Sequence, residues 1–176
     1  MEIVRFKHLL FKIAFCTMAC DGHVDAREVE LMRYLDKNTS YFNDIDLSKE
    51  LELMIDEVKK DGKRLIHNVF ESFRAGELDI IQELIVLEVV LRLIHADEKI
   101  ENNEKDFVQL IRSKLLVPNQ IIIDRFGAVE LLGLTEYVTE IKPDLSISYF
   151  EDLFEMPELK EIQNIDFGNI NVNEKE

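Results

Sequence analysis

The stretch ACDGHVDAREVE at positions 19–30 returns in degraded form as HADEKIENNEKD at positions 95–106, an offset of 76 residues. Each copy follows an apolar run and precedes a segment with helical spacing. A chain that repeats a helix–turn–helix unit must bury the apolar face of each helix against a neighbouring element. At this offset apolar residues coincide at 14/90, 15/91, 18/94, 24/100, 31/107 and 35/111, and acids are identical at 21/97 and 28/104. Shared helical periodicity makes the apolar agreement weak by itself. The shared Asp–Glu frame adds the weight, and an internal duplication is the expectation.

Helical spacing extends well beyond the repeat. Apolar residues at 6, 9, 10, 13, 16 and 20 predict a helix over 3–20. Asp25 followed by Glu28 reads as a capping box opening a helix to about 37, with Val29, Met32 and Leu35 or Leu31 facing inward. Residues 38–46 read as loop, and Ser48 as the cap of a third helix. Gly62 is expected to break that helix, and a fourth is expected to end at Gly76. The run at 78–97 is apolar on most sides, as a central helix would be. Residues 101–116 mirror 25–40 and stop before Pro118. After Pro118 the pattern weakens. Residues 119–141 allow helix, although YVTEI leans towards strand, and residues 146–162 suggest a short helix ended before Pro157. The Asn-rich end, 164–176, is expected to fray or extend. With only six Gly and three Pro, the fold class expected is all-α. It divides into a duplicated helical core over 1–116 and an acidic C-terminal extension over 117–176, packed on the core with about its last twelve residues frayed.

Charge narrows the partners. The net charge is −15, from 36 acidic and 21 basic residues. Residues 128–176 alone hold twelve Asp or Glu against three Lys. Phosphate backbones need clustered Lys and Arg, so nucleic acid is not an expected partner. Metal cations and basic protein surfaces are compatible, and a solubilising surface is the plainer account. No run approaches 18 apolar residues, because Glu83, Glu88 and Arg92 interrupt the best one, so no membrane span is expected. The N-terminal apolar run is interrupted by Lys12 and lacks a signal-cleavage site, and it matches the internal run at 80–96. It therefore reads as a core helix and the protein as cytoplasmic. Cys16 and Cys20, four apart on one helical face, read as buried thiols in a reducing compartment.

The acids of the repeated turn have two readings. Capping accounts for Asp25 with Glu28, and less well for Glu101 with Glu104. Asp21 and Asp97 end a helix, where its dipole disfavours an anion. Either they accept backbone N–H groups of the following turn, as Asx turns do, or something positive sits there. Two helix pairs packed about a pseudo-two-fold axis would bring Asp21, Asp97, Glu28 and Glu104 together. Such a cluster repels itself unless a cation or protons compensate. Oxygen ligands suit Mg²⁺, Ca²⁺ or Mn²⁺, and His23 would tilt the choice towards a transition metal such as Zn²⁺. The turn is not an EF-hand loop, since Gly22 follows the first Asp directly.

An apolar helix ending in A-x-D-G, then a short turn, an acid and Glu three places on, duplicated in a small acidic chain, resembles the TerB family of tellurite-resistance and stress-response proteins. The likeness covers residues 1–116 and is sharpest in MACDGHVDAREVELMRYL. It implies an all-helical bundle with an internal repeat and a metal-chelating centre at Asp21, Asp25 and Glu28, matched by Asp97, Glu101 and Glu104. The second copy departs from it, with Glu98 in place of Gly22, and residues 117–176 fall outside it. The function implied is non-enzymatic: a stress-associated protein binding divalent metal or partner proteins through the acidic turns. The alternatives are a metal-dependent hydrolytic enzyme and a purely structural interaction module. His8, His23, His67 and His95 are scattered, and the chain has no Gly-rich phosphate loop, no Gly-x-Ser-x-Gly and no His-Glu-x-x-His.

Overall fold

In a computed structural model, residues 1–74, 78–96, 99–134, 156–159 and 161–162 are described. The first helix, α1 (Ile3–Ala19), is buried almost all round from Leu9 onward. Its sequence explains this, because Lys12 is the one charge between Leu9 and Cys20. It packs against α3 (Leu47–Arg74) and α4 (Ile80–Ile94). The other helices are α2 (Ala26–Asn38), α5 (Asn102–Lys114) and α6 (Asn119–Phe126), followed by a 3-10 turn at Glu130–Leu132. The described residues are thus predominantly helical, as the spacing predicts. No helix among them is long and apolar enough to cross a membrane.

α2 buries Val29, Met32 and Leu35, and leaves Leu31 half-buried. The break in α3 falls at Asp61, whose backbone is extended (φ −166°, ψ 87°), rather than at Gly62. Asp61 Oδ1 accepts the Arg64 N–H at 3.0 Å, so the residue caps the second segment and interrupts the first. The start of α3 also differs from expectation. Asp46, not Ser48, supplies the cap, accepting the Lys49 N–H at 3.1 Å, and Ser48 lies inside the helix. α4 opens on a capping box that pattern reading overlooked, Asp79 with Gln82. Beyond Pro118 only α6 is regular α-helix among the described residues, and Gly127 ends it with a positive φ of 78°. The expected helix end at Gly76, the YVTEI segment, the short helix before Pro157 as far as residue 155, and residues 164–176 lie outside the described residues.

α1 and α4 run in the same direction. At one pole Gln82, in the first turn of α4, exchanges two hydrogen bonds with Met1, at 3.4 and 3.0 Å. At the other pole each helix leads into an acidic turn. A buried polar network fixes the chain between α5 and α6. Arg112, 5 % exposed, donates to the carbonyls of Leu115 and Val117 and to Asn119 Oδ1 at 2.5–3.2 Å. Glu83, 4 % exposed, reaches from α4 to accept the Val117 N–H at 2.5 Å.

Two short strands, β1 (His23–Val24) and β2 (Glu161–Ile162), pair in parallel, His23 opposite Glu161 and Val24 opposite Ile162. Neither strand follows from the residue pattern. Two-residue strands carry no usable alternation, and their pairing is a contact distant in sequence.

Candidate functional site

The acidic turns are built locally, and nearly every carboxylate has a defined task. In the first turn Asp21 Oδ1 accepts the His23 N–H at 2.8 Å, the Asx turn that allows an anion at this helix end. Gly22 takes φ +90°, and its N–H donates to Ala19 O at 3.0 Å. Asp25 caps α2 by accepting the Arg27 N–H at 2.7 Å, and Glu28 Oε2 accepts the Asp25 N–H at 2.8 Å. The Arg27 side chain also donates to Asp25 Oδ1 at 3.1 Å. The Arg27 side-chain and backbone bonds hold the Asp25 carboxyl below its usual value. A depressed folded-state pKa stabilises the fold above the unfolded value, and that contribution fades as the pH falls. Asp25→Ala should cost about 0.5–2 kcal/mol through the lost cap. Denaturant melts in excess chelator measure this, and an unchanged midpoint would refute the capping role.

The second turn uses the same parts less completely. Glu104 Oε2 accepts the Glu101 N–H at 2.6 Å, as Glu28 does for Asp25. The Glu101 carboxylate is turned to Lys99 Nζ at 2.5 Å. Its longer side chain closes the capping box with Glu104 while also pairing with a neighbouring ammonium, where Asp25 bonds the Arg27 amide directly. Asp97 and Glu98 lie outside the described residues.

Charges from both turns act on one thiol. Burial pushes the Cys20 thiol well up, and the charges of Glu104, Asp21 and Glu28 push it further. The first turn of α5 therefore lies at the same end of α1 as the first acidic turn. Glu28 and Glu104 are each only 6 % exposed. Of the six acids expected at a metal centre, Glu28, Glu104 and Asp21 are the ones whose charges act on Cys20. Asp25 and Glu101 point to their own helix N-termini or a neighbouring lysine. Among the described residues no three His, Cys, Asp or Glu side chains are grouped so as to hold a metal ion.

The histidines contribute little to this pole. His23 Nδ1 is 3.8 Å from Asp21 Oδ2, and its side chain is half exposed. His95 Nδ1 bonds Leu91 O at 2.7 Å, which satisfies the C-terminal carbonyl of α4. His8 and His67 lie near Glu50 and Glu71. Cys16 is fully buried, and that burial raises its thiol to about 12, so it has little thiolate for nucleophilic chemistry. Cys20 was legible as a buried thiol but not as the point where the turns meet. Its immediate position before Asp21 is the one sequence signal for that.

The Gly22/Glu98 difference between the copies has a physical reason on the Gly22 side. A Cβ at Gly22 would lie 3.1 Å from Glu158 O and 3.4 Å from Pro157 Cβ, because the C-terminal extension crosses the first turn. Gly22→Ala should destabilise the fold by about 1–3 kcal/mol through the positive φ and this clash. Hydrogen exchange should quicken at residues 23–24, where β2 pairs. Gly62→Ala is the comparison, since its Cβ would lie 3.1 Å from Met156 Cγ and 3.2 Å from Met156 Cβ, a similar contact without a positive φ. Equal effects from the two substitutions would contradict a cost from the left-handed backbone at Gly22. Compared with protein-family models, curated proteins and solved structures, the chain finds no match.

Proposed function

We propose that the chain is a non-enzymatic binding module made of two copies of one helix–acidic turn–helix unit, similar in plan to the TerB proteins, and that the pole where its acidic turns meet is its working surface. The duplication is supported by helix bounds. α5 starts and ends 76 residues after α2, and α4 follows α1 at nearly the same offset. The observation that carries the functional reading is that Glu28 and Glu104, buried in two different turns, both act on the Cys20 thiol. Like charges gathered at one pole attract cations and basic surfaces. In this reading the pole engages a divalent ion or a basic partner surface, as expected of a stress-associated TerB-like protein. An all-carboxylate donor set suits Mg²⁺, Ca²⁺ or Mn²⁺. The described acids are too few for a coordination shell, so the ion reading needs Asp97 to join them.

A second reading is favoured by the hydrogen bonds. Asp21, Asp25, Glu28 and Glu104 each accept a backbone N–H at 2.6–2.8 Å. The turns would then serve folding alone. Thermal melts with millimolar Mg²⁺, Ca²⁺ or Mn²⁺, or micromolar Zn²⁺, separate the two, because a ligand of the native state raises the melting temperature. The ion reading predicts a rise in the wild type that is lost in Asp21→Asn/Asp97→Asn. No shift with any ion would leave the caps, and a docking role for the acidic surface, as the account of these residues.

A further inference from the structure

A cleft at α4, α5, α6 and the 3-10 turn, bordering the second acidic turn, gathers positive charge in a chain of net charge −15. Its volume is about 1160 Å³. Its walls carry Arg92, Lys99, Lys105 and Arg125 against the carboxylates of Glu88 and Glu130. The apolar part of the lining comes chiefly from Leu91, Ile100, Phe126, Val129 and Leu131.

The arrangement of charge is specific. Glu88, whose side chain is 13 % exposed, accepts from Arg92 Nη2 at 2.9 Å, Arg125 Nη2 at 3.1 Å and the Tyr41 hydroxyl at 3.2 Å. One carboxylate thus holds two guanidiniums from different helices, and it neutralises only one of them. Both guanidiniums remain about half exposed, with donors left over. Arg125 also lies over the Phe126 ring, 5.7 Å from its centroid, which places the cation beside an apolar surface. Lys105, near the start of α5, is exposed and has no ion-pair partner among the described residues. Lys99 is held by Glu101 and is the least available of the four. A concave, partly apolar wall concentrates the field of such charges, and a fork of guanidiniums matches the oxygens of a carboxylate or phosphate.

We propose that this cleft binds a small organic anion: a carboxylate or phosphate held by Arg92, Arg125 and Lys105, attached to an apolar body that lies against Phe126 and Leu131. The site borders the second acidic turn, which lends it Lys99, Ile100 and Lys105, but it uses none of the turn's carboxylates.

The test uses the full chain with anilinonaphthalene sulfonate, a fluorescent anion with an apolar body, as the probe. The expected result is saturable one-to-one binding that weakens with salt. Decanoate should displace the probe, and inorganic phosphate alone should not. Lys105→Glu/Arg125→Glu should weaken binding about tenfold or more. If the double variant does not melt like the wild type, Lys105→Glu alone, at an exposed and unpaired side chain, should still weaken it about threefold. Absence of saturable binding, equal displacement by inorganic phosphate, or an affinity unchanged in a folded charge-reversed variant would each overturn the proposal.

Discussion

Replacing Arg112 with Ala should destabilise the protein by about 3–5 kcal/mol, because it strips a buried network of its only cation. The guanidinium donates to Leu115 O, Val117 O and Asn119 Oδ1, all in the chain that links α5 to α6. Its charge also acts on Glu83, whose carboxyl burial raises and whose bonds from the Leu116 and Val117 amides, with Arg112, hold down. Without Arg112 two carbonyls lose donors and a buried carboxylate loses its compensation. The loss should depend on pH. With Arg112 gone the Glu83 pKa rises further above its unfolded value. A raised carboxyl pKa favours the fold only while the group is protonated, and that advantage is lost as the pH rises through it. The deficit should therefore be larger at slightly alkaline pH than at mildly acidic pH, measured by denaturant midpoints. Arg112→Met should retain most of the deficit at near-native volume, and adding Glu83→Gln should recover part of it. A deficit below about 1 kcal/mol, within the range of an ordinary substitution, would contradict the network's role.

Phe11→Ala should cost a similar amount, about 3–5 kcal/mol, for a different reason. Phe11 is fully buried in α1 and meets the Phe42 ring edge-on, with centroids 6.2 Å apart and planes at 89°. Truncation leaves a cavity and removes an aromatic pair worth about 0.5–1.5 kcal/mol beyond its buried area. Phe42 belongs to the loop between α2 and α3, which Lys7 also holds through Asn43 O at 2.9 Å. Losing the Phe11 contact should therefore loosen that loop, and limited proteolysis should cut within residues 39–46 faster than in the wild type. Tyr34→Ala, at a side chain on the exposed face of α2, should change stability by no more than about 0.5 kcal/mol. Comparable midpoints for the two variants would contradict the core assignment.

Local signals made much of this fold legible. Helices α1, α2, α4 and α5 have apolar spacing and turns whose chemistry is confined to a few residues, so their bounds lie close to those the pattern suggests. The Asp25–Glu28 box is of the same kind. Where two local devices competed, the pattern pointed to the wrong one. Asp46 and Asp61 cap their segments, although Ser48 and Gly62 are the more conspicuous residues. The pairing of β1 with β2 was hidden because it joins residues far apart in sequence through backbone bonds that no side chain advertises. The candidate site was legible in part. The repeated acids marked both turns, and the Asx turn at Asp21 follows from its place at a helix end. That Glu28 and Glu104 are both buried and both act on Cys20 depends on how the helices pack, which no local pattern encodes. The same holds for the basic cleft, whose cations come from three helices and the loop between α4 and α5.

That two acidic turns, written 76 residues apart, form one pole is the claim on which the functional reading rests. A double-mutant cycle with Glu28→Gln and Glu104→Gln tests it most directly. Gln can still accept the N-cap amide, so each change removes a charge while leaving the cap in place. If both glutamates act on the surroundings of Cys20, removing one charge relieves the repulsion felt by the other. The double variant should then depart from the sum of the single effects by more than about 0.5 kcal/mol in chemical-denaturation midpoints at neutral pH. Additivity within about 0.3 kcal/mol would place the two carboxylates out of each other's reach and contradict the shared pole.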